Sequence, residues 1–143
     1  MSQPVPPSTE TAITTTYTGP EKPLGTGIPG TEVAELTLSR QKGRRQNSWV
    51  VFARVVILNR NNDAQDFTAT LFSTSDPVGT YVDRVDVRLP GPQGNPLGCC
   101  ISLQAAITTG LADVTIQLLC TGFHAAAQQI SMIALDVTEE QTQ

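Results

Sequence analysis

From residue 31 onward, short runs rich in β-branched residues alternate with turn-forming residues. The runs span about 32–38, 48–58, 67–73, 82–89, 99–107, 113–120 and 129–138. Such spacing is typical of all-β sandwiches and barrels. The best helical candidate, Ala125–Gln129, lacks the length and apolar stripe of a stable helix. The sequence therefore predicts an antiparallel β-sandwich of about seven strands, or eight if the N-terminal segment adds one.

Two of these runs are apolar on both faces. In 48–58 and in 129–138, large apolar side chains occupy odd and even positions alike. Apolar side chains on both faces of an antiparallel strand indicate that both faces are buried. Another subunit is the simplest cover for the second face. We therefore expect self-association, with a trimer as the preferred state, through an interface that includes Trp49, Phe52, Ile130 and Met132.

The N-terminal segment differs sharply from the rest of the chain. Six of the ten prolines fall within residues 1–29, among Thr, Ser and Gly and few large apolar residues. Such a segment cannot bury enough surface to offset its own ordering. The predicted organisation is an extended arm at 1–30, a sandwich domain at 31–138 and a polar tail at 139–143. The arm would lie along a partner, anchored by Ile13 and Tyr17.

Charge is unevenly distributed. The net charge is -4, which argues against a general nucleic-acid binder. The densest charge feature is a basic cluster of four side chains, Arg40, Lys42, Arg44 and Arg45. It is interpreted either as an electrostatic contact with nucleic acid or an acidic protein partner, or as a solvated loop between strands. The solvated loop is favoured because no aromatic residue is interleaved for base stacking.

The sequence offers little catalytic or metal-binding chemistry. The single histidine, His124, has no nucleophile motif beside it. Cys99, Cys100 and Cys120 lack a metal-ligand spacing, and one of the adjacent pair should be buried while the other faces outward. The segment 59–63 has alternating oxygen side chains but departs from a calcium loop at its sixth and twelfth positions, so a polar turn is favoured over an ion site at Asp63 and Asp66. We expect no enzyme activity, cofactor or metal.

Targeting signals are also missing from the sequence. The N-terminus lacks the charged and apolar regions of a secretory signal, and the apolar stretch 50–58 is far too short for a membrane helix. The expectation is a protein that does not contact membranes. Three cysteines do not make a disulfide framework, which fits folding in a reducing compartment.

Three segments carry a family resemblance. The pattern from Trp49-Val-Val-Phe-Ala-Arg-Val, through Asp83-Arg-Val-Asp-Val-Arg-Leu-Pro-Gly-Pro92, to Gln129-Ile-Ser-Met-Ile-Ala-Leu135 resembles trimeric tumour-necrosis-factor-like jelly rolls, and also jelly-roll proteins of tailed phages. The resemblance implies an antiparallel jelly-roll sandwich of about seven or eight strands. It further implies a non-enzymatic building block of the virion, a capsid decoration or cement protein that clamps the shell by binding the major capsid protein or another virion protein.

An alternative function within the same fold is a receptor- or carbohydrate-binding head of a fibre. Sugar sites display exposed aromatic rings beside polar groups. The candidate platforms here are Tyr81, Tyr17 and Phe123.

Overall fold

A computed structural model describes residues 12–27, 30–39, 47–73, 80–91, 97–109 and 113–137. Within these ranges the regular structure is entirely β-strand. The strands are β1 (Ala12–Tyr17), β2 (Lys22–Leu24), β3 (Thr31–Leu38), β4 (Asn47–Asn59), β5 (Gln65–Ser73), β6 (Thr80–Leu89), β7 (Leu97–Thr109), β8 (Val114–Thr121) and β9 (Ala125–Asp136). The prediction of an all-β chain is confirmed.

The strands form two antiparallel sheets. Sheet A has the order β1-β9-β4-β7, with β2 also pairing with β9, and sheet B has the order β3-β8-β5-β6. Each sheet contains strands from both halves of the chain. In sheet A, the first strand, β1, lies beside the last strand, β9. This interleaved order is that of a jelly roll, which confirms the predicted architecture.

The core fills the space between the two sheets. Alternate residues of β4, from Trp49 to Ile57, are at most 3% exposed because side chains along a strand point to opposite faces. They face Phe67, Leu71 and Leu118 of sheet B, which are fully buried. The buried indole of Trp49 also finds a partner, since its Nε1 donates a hydrogen bond to Thr109 Oγ1 at 3.3 Å.

Three of the four residues expected at a subunit interface belong to this core. Trp49, Ile130 and Met132 are 1–2% exposed in the single chain. Their assignment to an interface was wrong, because they pack against sheet B of their own chain. The fourth, Phe52, points outward and is 40% exposed. Both faces of β4 are apolar, and the sequence does not indicate which one turns inward.

The described part of the expected arm belongs to the sandwich rather than to a partner. Strand β1 pairs with residues 130–135 of β9, and β2 pairs with residues 125–127. Ile13 and Tyr17 pack against the core as anchors, but within their own chain, and Leu24 is buried. The Lys22 Nζ atom also donates to the Val33 carbonyl oxygen at 3.1 Å. An edge strand needs few apolar residues because the neighbouring strand supplies its hydrogen bonds.

Strand β9 begins earlier than the predicted strand 129–138, because Ala125–Gln129 is also strand. Pairing with β4 on one side and β2 on the other outweighs the helical propensity of alanine here. Gln129 has φ 50° and lies where the β4–β9 register shifts, which marks a β-bulge. The bulge keeps Ala127 and Ile130 buried although they are three positions apart.

Candidate functional site

The outer face of sheet B is mainly polar. Asp86 of β6 accepts a hydrogen bond from the Thr68 hydroxyl at 2.7 Å and pairs with Arg84 at 3.1 Å. The Thr68 hydrogen bond is the main cause that lowers the pKa of Asp86, and Arg84 contributes less. Arg88 pairs with Asp66 at 3.0 Å. Every one of these groups finds its partner within the same face.

Two carboxylates lie together on β3. The pKa of Glu32 is raised by its hydrogen bond with the Glu35 carboxyl first, then by partial burial and by the charge of Glu35. Next to them, the hydroxyls of Thr37 and Thr115 lie 3.2 Å apart. Leu119 is an apolar exception on this face, but it is 4% exposed and offers no surface.

The outer face of sheet A carries an apolar patch that spans three strands. Phe52 of β4 lies beside Ile133 of β9, and Val50 lies between Leu135 of β9 and Ala106 of β7. These five residues are half-buried or exposed in the single chain. Contiguous exposed apolar surface of this kind marks interaction sites. The apolar patch comprises Val50, Phe52, Ala106, Ile133 and Leu135.

Polar groups border the apolar patch on one side. Arg54, one pleat along β4 from Phe52, donates from Nε to Cys100 Sγ at 3.1 Å. A hollow of about 390 Å³ lies between Phe52, Arg54 and Asp83. The Asp83 carboxylate, carried by β6, accepts the backbone N–H of Gln104 at 2.9 Å and so occupies the free edge of β7. The patch therefore has an apolar centre and a polar rim.

The three cysteines occupy different environments. Cys99 packs against the core and Cys100 is exposed on the outer face of sheet A, as expected for neighbours in a strand. Cys120 is buried between the sheets, and burial raises the pKa of its thiol to about 12. All three thiols are free.

A cleft lies at one end of the sandwich, where the turn between β8 and β9 meets β2 and the end of β4. Its volume is about 530 Å³. Residues from three segments of the chain line it, namely Glu21, Pro23, Leu24, Gly25, Thr26, Arg60, Gly122, Phe123, His124, Ala125 and Ala126.

Backbone hydrogen bonds fix the turn that forms one wall of the cleft. The Arg60 N–H donates to the His124 carbonyl oxygen at 2.8 Å, and the Gly122 N–H donates to the Gly25 carbonyl oxygen at 3.0 Å. His124 has φ 49°, a left-handed conformation. A Cβ atom at Gly122 would lie 2.4 Å from the Phe67 ring, so this position requires glycine.

An ion pair and an aromatic ring face the cleft. The Arg60 guanidinium holds the Glu21 carboxylate with two hydrogen bonds, one from Nε to Oε2 at 3.0 Å and one from Nη2 to Oε1. Phe123 is 51% exposed, and its ring meets that of His124 edge to face at 4.2 Å between centroids. No local sequence signal pairs Glu21 with Arg60, because the fold joins them across 39 positions.

The remaining predicted residues fall elsewhere. Arg40, Lys42, Arg44 and Arg45 lie outside the described residues, as do 139–143. Among the predicted aromatic platforms, Tyr81 lies on β6. Tyr17 is engaged within the chain, since its hydroxyl donates to the Pro20 carbonyl oxygen at 2.6 Å and Lys22 Nζ lies 4.2 Å from its ring centroid.

The polar segment 59–63 forms a turn. The buried Asn59 amide donates to the carbonyl oxygens of Asp63 and Pro90, each at 3.1 Å, and the Asn61 side chain accepts the Asp63 N–H at 2.9 Å. The Asn59 side-chain oxygen accepts the Asn61 N–H at 2.9 Å, so two of the side-chain oxygens that suggested a calcium loop, those of Asn59 and Asn61, are used within the turn. Within the described ranges, no group of three or more His, Cys, Asp or Glu side chains is placed to hold a metal ion. Those ranges also contain no helix with the length and apolarity to span a membrane.

Comparison with known proteins adds one structural similarity. No model of a known protein family matches the chain, and no curated protein matches it. Among solved structures, the chain is similar to one described as the structure of Eiger TNF from S. frugiperda, with 8% sequence identity and a TM-score of 0.47. The match covers 87% of this chain and 99% of that chain. The jelly-roll assignment rests on the strand order of this chain.

Proposed function

We propose that this protein is a non-enzymatic structural protein that forms a homotrimer through the outer face of sheet A. The apolar patch around Phe52 carries the proposal. Sheet A already has one face buried against sheet B, so apolar residues on its second face gain stability only when another molecule covers them. The polar border at Arg54 and Gln104 corresponds to one side of the polar rim that surrounds the apolar centre of a typical interface.

The biological setting that we propose is a virion, where the trimer decorates the capsid shell. This part rests on the resemblance of the strand pattern to phage jelly-roll proteins and on the basic cluster at 40–45. A trimer centred on a symmetry axis of the shell presents three copies of each weak contact. Linked contacts of this kind bind far more tightly than one contact does alone.

Sedimentation velocity at micromolar concentration tests the self-association. We expect a trimer for the unmodified chain and a folded monomer for Phe52→Asp, because a buried unpaired carboxylate at each interface is costly. The matched control is Thr37→Asp on the exposed outer face of sheet B, which should remain a trimer. A monomeric unmodified chain would refute the proposal.

The decoration role is tested separately by co-sedimentation with isolated capsid shells of the parent virion. The unmodified chain and Thr37→Asp should sediment with the shells, whereas Phe52→Asp should stay largely in the supernatant because it has lost the gain from linked contacts. A trimer that does not bind shells would keep the self-association and reject the capsid setting.

A further inference from the structure

We propose that the cleft between β2, the end of β4 and the β8–β9 turn binds a neutral saccharide, whose ring stacks on Phe123 and whose hydroxyls bond to the Arg60–Glu21 pair. The cleft lies at one end of the sandwich, away from the apolar patch on the outer face of sheet A. The inference therefore does not depend on self-association.

The first observation is a large aromatic ring held in solvent. Phe123 is 51% exposed, and its only recorded ring neighbour within the described residues is His124. The turn that carries Phe123 is fixed by the backbone bonds of Arg60 and Gly122 and by the left-handed conformation of His124. The backbone that carries the ring is therefore already ordered, so little backbone freedom is lost when a ligand stacks on the ring, and the turn favours binding.

The second observation is the chemistry of the ion pair. Of the five guanidinium N–H groups of Arg60, two are used by Glu21, and the Glu21 carboxylate keeps unused lone pairs. Both side chains are partly exposed at 44% and 35%. Donors and acceptors therefore lie side by side on a pair with no net charge. Neighbouring sugar hydroxyls, which donate and accept at once, match this arrangement, whereas an anion or a cation would meet a neutralised site.

The third observation is the size and floor of the cleft. Its volume of about 530 Å³ lies within the range of small-molecule sites, about 300–1,000 Å³. Leu24, Ala125 and Ala126 are buried apolar residues of its lining. A pyranose ring presents an apolar face and a polar edge, so it can meet the Phe123 ring and the ion pair together. We infer a site for one or two sugar units.

The test begins with a glycan array of neutral and sialylated glycans. Glycans that bind on the array are then studied by saturation-transfer-difference NMR. Whatever the array shows, methyl glycosides of glucose, galactose, mannose and N-acetylglucosamine are also titrated by NMR at millimolar concentration. We expect at least one neutral sugar to bind. Phe123→Ala should weaken this binding about two- to twelvefold, the change that corresponds to the roughly 0.5–1.5 kcal/mol of a stacked ring, and Phe123→Trp should retain it. Arg60→Met should weaken it by at least about tenfold, since hydrogen bonds to charged groups are worth about 1.5–3 kcal/mol.

The matched control is Phe52→Ala, which removes the exposed phenylalanine of the apolar patch and should leave sugar binding unchanged. Phe123→Ala should in turn leave sedimentation unchanged, which shows that the variant is folded. Three outcomes would overturn the proposal: no neutral sugar binds on the array or by NMR, binding is confined to sialylated glycans, or binding survives both Phe123→Ala and Arg60→Met.

Discussion

The two sheets share one core but present opposite outer faces. On sheet B, Asp66, Asp86 and their arginine partners satisfy one another. On sheet A, the apolar side chains of Phe52 and Ile133 lie side by side on the outer face. A face whose groups are paired internally gains little from contact with another molecule, whereas an apolar face gains from every contact that excludes water. Under the self-association that we propose, this difference between the faces directs contact through sheet A.

The largest effect on this contrast should come from removing the edge of sheet A. Deleting residues 1–24 removes β1 and β2, including the core residue Leu24. The deletion also exposes one edge of β9. We expect the free energy of unfolding to fall by at least about 3 kcal/mol, since one buried leucine alone contributes about 1.5–3 kcal/mol. Urea unfolding followed by circular dichroism measures it.

The control for this deletion removes residues 1–11 alone and keeps every described strand. Because residues 1–11 are mainly Pro, Ser, Thr and Gln with few large apolar side chains to bury, this deletion should change the unfolding free energy by less than about 0.5 kcal/mol. If both truncations unfold at the same urea concentration as the full chain, β1 is dispensable and the segment is an arm, as its composition predicts.

Cysteine reactivity offers a second, intermediate measure of which face is covered. Cys100 lies on the outer face of sheet A, so under the proposed self-association maleimide should label it more slowly in the unmodified chain than in Phe52→Asp. Cys120 should resist labelling in both until the chain unfolds, because it is fully buried and its pKa is about 12. Mass spectrometry of timed samples distinguishes the sites. Equal labelling of Cys100 in both variants would mean that the outer face stays open.

The smallest effect concerns the charges of sheet B. The raised pKa of Glu32 means that the folded chain holds this proton more tightly than the unfolded chain. Its stabilising contribution is therefore present below pH 4.5 and is lost as the pH rises through the folded pKa. Glu32→Gln should raise stability at pH 7 by at most about 1 kcal/mol, as for exposed pairs, and the gain should vanish below pH 4.5.

Asp86→Asn provides the control of opposite sign. The lowered pKa of Asp86 places its contribution above the unfolded pKa, and that contribution disappears as the pH falls. This variant should therefore lose a little stability at pH 7. Chemical unfolding at pH 7 and below pH 4.5 measures the stability of both variants. A change in stability of the same sign in both variants at pH 7 would contradict the opposite pKa shifts of Glu32 and Asp86.

Strand positions and fold class follow closely from local pattern. Along β6, the sequence predicts Val85 and Val87 on one face and Asp86 on the other, and the structure places the valines against the core with Asp86 exposed. Period-2 alternation is a local property, so a single sequence reveals it. The outward position of Cys100 beside an inward Cys99 follows from the same rule.

Properties that depend on distant partners do not follow from the pattern. Trp49 and Phe52 are both large and apolar, and only the position of sheet B decides which is buried. The strand at Ala125 exists because β4 and β2 pair with it, against local propensity. The pairing of Glu21 with Arg60, and hence the cleft, arises only once β2 is docked. Each of these features is set by tertiary contacts.

The Asp83 carboxylate at the free edge of β7 has a consequence for how the molecule can polymerise. An exposed edge strand of thirteen residues is a template on which further strands add, the route by which β-proteins grow into fibrils. Any incoming strand must first displace Asp83 from the Gln104 amide and bury its charge. Addition of strands at that edge is thereby disfavoured. Contact between copies through the outer face of sheet A carries no such cost. The closed trimer that we propose would then have one fewer route of fibril growth to compete with.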